Sequence, residues 1–124
     1  MNTINLNIDA LTPSQNVVDR MNRWKKMELR DFWYWLVKGA LGRQKLDLAQ
    51  WKRETKSVLV LRVSTKLIDD SNVPSGCKYL IDSLKNEKLI VDDSRKWVRN
   101  SFDQRKTNKN EIPNMEITIS SMDE

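Results

Sequence analysis

The sequence predicts an α+β domain: a mixed sheet of about four or five strands with two main helices packed on it, in the order β-α-β-α-β-β. Three observations carry that expectation. Ile4, Leu6 and Ile8 near one end, and Met115, Ile117 and Ile119 near the other, alternate with polar residues at the period of a half-buried strand. Val58, Leu59, Val60, Leu61 and Val63 make a denser apolar run, as in a strand buried on both faces. Leu29, Phe32, Trp33, Leu36, Val37 and Ala40, and then Cys77, Leu80, Ile81 and Leu84, recur at helical spacing.

A chain of 124 residues is long enough for one domain with a modest core, so a single domain over 1–124 is expected. Charged residues make up 31% and hydrophobic residues 39%, which excludes a disordered composition. The net charge of +5 favours a polyanionic partner. Histidine is absent, which removes histidine general bases, histidine metal ligands and Ser-His-Asp triads. With Cys77 the only cysteine, neither an internal disulfide nor a cysteine-rich zinc site is available. Chemistry must come from carboxylates, lysines, hydroxyls or a bound metal.

The first strand is read over residues 1–9. It lacks a charged start followed by a continuous apolar segment, so it is not a signal peptide. No later run has the length of a membrane span, and the expected location is the cytoplasm. A turn at Thr12-Pro13-Ser14 leads into one long helix from about Asn16 to Leu41, ended by Gly39 and Gly42. Opposite its apolar face stand Arg20, Arg23, Trp24, Tyr34, Trp35 and Lys38. Interleaved aromatics and cations can stack on bases and neutralise phosphate, and they can equally anchor a protein interface. The connector over 42–56 carries Arg43, Lys45, Lys52, Arg53 and Lys56 around Trp51.

The central strand, read over Ser57 to Lys66, delivers Asp69 and Asp70 to its carboxyl end, where open α/β sheets place ligand sites. A helix opening at Pro74 and ending near Asn86 follows, then Leu89-Ile90-Val91 and a second acidic pair, Asp92 and Asp93. If the helix returns the chain so that both pairs meet at one end of the sheet, they form an oxygen-only pocket suited to Mg²⁺. Acidic pairs are also ordinary turn and cap residues.

The wording of residues 67–97 adds a specific resemblance. Asp69-Asp70-Ser71-Asn72, the helix-borne Lys78, Asp82-Ser83-Leu84 and Asp92-Asp93-Ser94-Arg95-Lys96-Trp97 together resemble the RusA family of Holliday-junction resolvases, in its prophage-type branch. Leu11-Thr12-Pro13-Ser14-Gln15-Asn16 before a tryptophan-rich helix is similar too. The resemblance implies a homodimeric, Mg²⁺-dependent endodeoxyribonuclease that resolves four-way junctions in recombination and repair. It implies Asp69, Asp70 and Asp93 as catalytic metal ligands, Asp92 as support, and Lys78 beside the scissile phosphate. Branched DNA is then the expected partner, contacted by Arg20, Arg23, Lys52, Arg53, Arg95, Lys96 and Arg99. The chain departs from the family at Ser71, where the pattern has a second carboxylate: either Asp70 takes that role or the site has lost a ligand. A junction-binding protein that no longer cuts, and a protein-interaction module, are the alternatives.

After Asp93 a strand with a basic face is expected through Arg99, Phe102 and Arg105, then a polar turn over Thr107 to Asn110. A final strand and a polar tail over 121–124 complete the chain.

Overall fold

A computed structural model describes residues 2–122. Met1, at the head of the first predicted strand, and Asp123 and Glu124, in the predicted tail, lie outside the described residues. The chain runs β1 (Thr3–Ile8), α1 (Gln15–Asp19), α2 (Arg23–Gln44), a 3-10 turn (Leu48–Gln50), β2 (Lys56–Ser64), α3 (Asn72–Gly76), α4 (Lys78–Asn86), β3 (Val98–Lys106) and β4 (Asn114–Ser121). The four strands form one mixed sheet in the order β1-β4-β2-β3, with β2 parallel to β3 and both other pairings antiparallel. The expected α+β architecture is what the chain adopts.

The register aligns the apolar alternation across the sheet. Ile4 pairs with Ile119, which pairs with Val58; Leu6, Ile117, Val60 and Phe102 form the next row. The helices supply Trp33, Val37 and Ala40 from α2, and Leu80, Ile81 and Leu84 from α4, to the same core. Fully burying side chains of this size contributes about 1.5–3 kcal/mol each. No helix among the described residues is long and apolar enough to cross a membrane.

Five expectations need correction. The single helix over 16–41 is two: Arg20 closes α1, and Asn22 starts α2 by accepting the Lys25 N–H at 2.9 Å. A side-chain cap satisfies an otherwise orphaned donor and restarts the helix where apolar spacing alone reads through. The helix also continues past Gly39 and Gly42 to Gln44, and Lys45, left-handed at φ 51°, ends it. In the second helical segment Pro74 is not the opening residue: α3 begins at Asn72, and Cys77 separates it from α4. Finally, β2 is central but its second face is open over most of its length, with Leu59 45% exposed and Leu61 half-buried there, and is covered at Val63 near the strand's end. Phe32, expected in the core, is also substantially exposed.

Beyond β3 the chain is pinned by Glu111, whose carboxylate takes two bonds from Arg105 (2.7 and 2.9 Å) and one from the Asn108 N–H (2.8 Å). These partners, Arg105 foremost, hold the Glu111 pKa down at about 2 against an ordinary 4.5. A depressed carboxylate pKa stabilises the fold above the unfolded value, and that contribution fades as pH falls through the folded one. Equilibrium urea unfolding is therefore expected to show stability declining from pH 4.5 towards 2. In Glu111→Gln that part of the pH profile should be measurably flatter.

Candidate functional site

The two acidic pairs stand at opposite ends of the βαβ unit rather than together. At one end, the loop after β2 is held by Gln104 of β3, whose side chain bonds the Ile68 N–H (3.2 Å), the Ile68 carbonyl (2.6 Å) and the Asp70 carboxylate (2.6 Å). At the other end, the Val98 N–H that starts β3 donates to the Ser94 carbonyl at 3.1 Å, and Ser94 directly follows Asp93. Gln104 and Val98 lie six residues apart in one strand, roughly 20 Å at about 3.3 Å per residue. The physical reason is the parallel pairing of β2 and β3. The intervening helix must carry the chain back to the start of the next parallel strand, and so away from Asp69 and Asp70.

The expected four-carboxylate cage of Asp69, Asp70, Asp92 and Asp93 is therefore not assembled within one chain. Among the described residues no three carboxylates gather into a metal-holding group. Asp69, Asp70 and Ser71 are exposed in the loop that starts α3. The Ser71 side chain makes no cap hydrogen bond there.

A different carboxylate joins the second pair. Asp82, one turn after Lys78 on α4, is half-buried. Burial first, and Asp93 second, raise its pKa above the ordinary carboxylate value, while Lys78, Lys85 and Arg30 oppose the rise. Asp93 is thus near enough to Asp82 to perturb it, while the three cations hold Asp82 back towards its ionised form. Asp92 is engaged differently. Lys85 bonds it at 2.9 Å, holding the Asp92 carboxyl below and the Lys85 amine above their usual ranges. Both side chains are about half exposed, so this surface pair adds little stability. Asp92 also accepts the Asp93 N–H at 2.9 Å, which fixes the turn.

The predicted phosphate-binding residues divide into two groups. Arg53 and Lys96 lie over the Trp97 ring, at 5.8 and 5.3 Å, so the connector and the turn before β3 form one basic surface around an aromatic. Lys52, Arg95 and Arg99 are exposed beside them in the chain, and Asp93 is only four residues before Trp97. Arg23 stands apart from this surface, in a groove with Lys26, Arg30 and Tyr79, and Arg20 closes α1 just before it. Lys78 is exposed, with its amine 5.8 Å from the Tyr79 ring. It thus stands on the same helix as Asp82 while Asp69 and Asp70 precede it.

No protein-family model matches the chain, and no curated protein matches it in sequence. The site rests on its own geometry. Two features of that geometry escaped the sequence reading. Asp82, four residues from Lys78, has the spacing of a plain surface ion pair, and only the position of Asp93 gives it another role. Lys56 reads as a surface base, yet it is buried, with its amine 3.8 Å from the Trp51 ring and 2.8 Å from Glu54. Trp51 in turn donates to the Leu89 carbonyl at 2.9 Å, so this cluster locks the basic connector onto the end of α4.

Proposed function

We propose that the protein is an Mg²⁺-dependent endodeoxyribonuclease acting on branched DNA, with its chemistry centred on Asp82 and Asp93. The observation that carries the reading is the adjacency of this carboxylate pair to a basic, tryptophan-bearing surface. Acids to hold a cation and bases to hold flanking phosphates are what phosphodiester hydrolysis requires, and Trp97 offers a face for an unpaired base at a branch point. The resemblance of residues 67–97 to junction resolvases points the same way.

Asp82 and Asp93 would hold the cation, with Asp92 joining if Lys85 releases it. The ion held there would supply Lewis-acid activation of a water and charge neutralisation at the leaving oxygen. Arg53, Arg95 and Lys96 would hold the backbone on either side of the cut. Lys78 would place a positive charge one helical turn from Asp82, suited to charge that develops on the phosphate. Asp69 and Asp70, at the other end of the unit, would contribute to chemistry only by meeting this cluster across a bound junction or a second copy. A four-way junction has two-fold symmetry, and a symmetric dimer would deliver its paired cuts.

The second reading is a junction binder that does not cut. It is favoured by Ser71 in place of a carboxylate and by the separation of the two acidic pairs. One experiment decides: cleavage of a synthetic four-way junction with Mg²⁺ by the wild type, Asp93→Asn and Asp82→Asn, with binding measured in EDTA. The expected result is paired, symmetric cuts, reduced about 100-fold or more in either variant while salt-sensitive binding persists. Tight junction binding without cuts selects the second reading. Neither cutting nor preference for the junction over duplex overturns both.

A further inference from the structure

A cavity of about 480 Å³ opens where the basic connector is locked onto the end of α4. Its size is that of small-ligand sites, roughly 300–1,000 Å³. None of the carboxylates proposed to hold the cation lines it.

One wall is apolar and rigid, built from Leu48, Trp51 and Ile90. The Trp51 ring is fixed from two directions. Its indole N–H donates to the Leu89 carbonyl at 2.9 Å, and the Lys56 amine sits 3.8 Å from the ring centre. Lys56 is buried and does not line the cavity, so it covers the indole from inside the fold. A flat aromatic held in this way can stack on an unpaired base.

The rim is cationic. Lys52, Arg53 and Lys88 line it, all exposed, and none of them is in an ion pair among the described residues. The cavity's other charges do not cancel them. Lys85 is paired with Asp92 at 2.9 Å and Glu54 with Lys56 at 2.8 Å, so Glu87 alone opposes the three cations. A net positive cavity favours an anion.

Glu54 narrows the class of anion. Its Oε1 accepts both the Lys56 amine and the Ser121 hydroxyl, each at 2.8 Å, and these bonds hold its pKa below the ordinary value. Its Oε2 has no hydrogen bond among the described residues. The carboxylate is thus a fixed acceptor, which an anion with a plain hydrocarbon body would leave without a donor. A nucleobase brings N–H donors on the edge of a flat ring, and its phosphate brings the negative charge.

We propose that this cavity binds a single unpaired nucleotide, with the base on Leu48, Trp51 and Ile90 and the phosphate on Lys52, Arg53 and Lys88. Arg53 also lies 5.8 Å over Trp97, so the cavity adjoins the basic surface proposed to hold the DNA backbone. A nucleotide displaced from a paired strand can reach it from there. The proposal rests on the nucleic-acid part of the function proposed for the protein and not on cleavage. A free mononucleotide shares the same chemistry.

The test is made on the full chain in EDTA. Lys88 follows the end of α4 in the left-handed conformation, φ 62°, which glycine adopts without strain. Lys88→Gly therefore removes the amine and is expected to melt at or above the wild-type temperature. The wild type is expected to bind a duplex with one unpaired guanosine about 10-fold tighter than the fully paired duplex. In calorimetry it is expected to bind deoxyguanosine 5′-monophosphate more tightly than inorganic phosphate. Lys88→Gly should lose most of both preferences, whereas Arg95→Ala should weaken paired and unpaired duplexes alike. A preference seen only in DNA assigns the cavity to a strand nucleotide, and one seen only with the mononucleotide assigns it to a free one. No preference with either probe overturns the proposal, as does a folded Lys88→Gly chain that keeps both. If Arg95→Ala abolishes the preference and Lys88→Gly spares it, the base sits on Trp97 and the proposal is equally overturned. If no duplex binds at all, the DNA-binding function fails separately and the mononucleotide result alone decides the cavity.

Discussion

Gly76→Ala is expected to destabilise the protein by about 3 kcal/mol, lowering the midpoint of thermal unfolding by roughly 10 °C. Gly76 is buried, and a Cβ there would drive into the Pro13 carbonyl oxygen, with the Pro13 carbonyl carbon close behind. Both are backbone atoms, so no side chain can swing away. Nor is the backbone at Pro13 free to move. The neighbouring Thr12 carbonyl accepts two bonds from the Arg62 guanidinium, each 3.2 Å, and the Thr12 hydroxyl accepts from the Cys77 thiol at 3.7 Å. Burial pushes that thiol up to about 11 and the Arg62 pKa down, marks of a dry, tightly filled corner. Since α1 and α3 meet here, the strain would reach Lys78 two residues on, and the loop bearing Asp69 and Asp70. Gly42→Ala, where a Cβ would meet nothing, should move stability the other way by up to about 1 kcal/mol. A Gly76→Ala chain that melts with the wild type would show that the corner yields.

That corner also shows where sequence reasoning ran out. Strands β1 and β4 were legible because their alternation has a single reading: Ile4, Leu6 and Ile8 have one face to bury, and their partners Ile119, Ile117 and Met115 match it row by row. The apolar face of α4 was legible for the same reason. The continuous run in β2 misled, because alternation was hidden by Leu59 and Leu61, which are apolar yet face outward. Local spacing cannot report whether a second layer exists to cover them. The break at Asn22 was missed because a cap is a hydrogen bond rather than a periodicity.

The candidate site was half legible. Its residue types were evident, and the basic residues around Trp97 were expected near Asp92 and Asp93. Its assembly turned on a non-local fact, that β2 and β3 are parallel, which sends the two acidic pairs to opposite ends. Once that pairing is fixed, a single helix cannot bring Asp70 to Asp93, and Asp82, midway along the helix, becomes the carboxylate within reach.

Trp33 separates packing from polar bonding in the core. The side chain is 1% exposed and stacks edge-on with Phe32, ring centroids 6.0 Å apart. Its indole N–H is buried without a hydrogen-bond partner. Trp33→Ala removes the largest fully buried side chain of the domain and opens a cavity between α2 and the sheet, at an expected loss of about 3–5 kcal/mol. Trp33→Phe removes less volume and also removes the unpartnered donor, which costs about 1–3 kcal/mol to keep dry. The two effects oppose one another, so Phe is expected to cost no more than about 1 kcal/mol. If the indole N–H instead had a partner in solution, Phe would forfeit that bond as well as the volume, and its loss would approach that of Ala. Chemical unfolding of the two variants side by side therefore measures which quantity the core depends on, and the expected answer is volume.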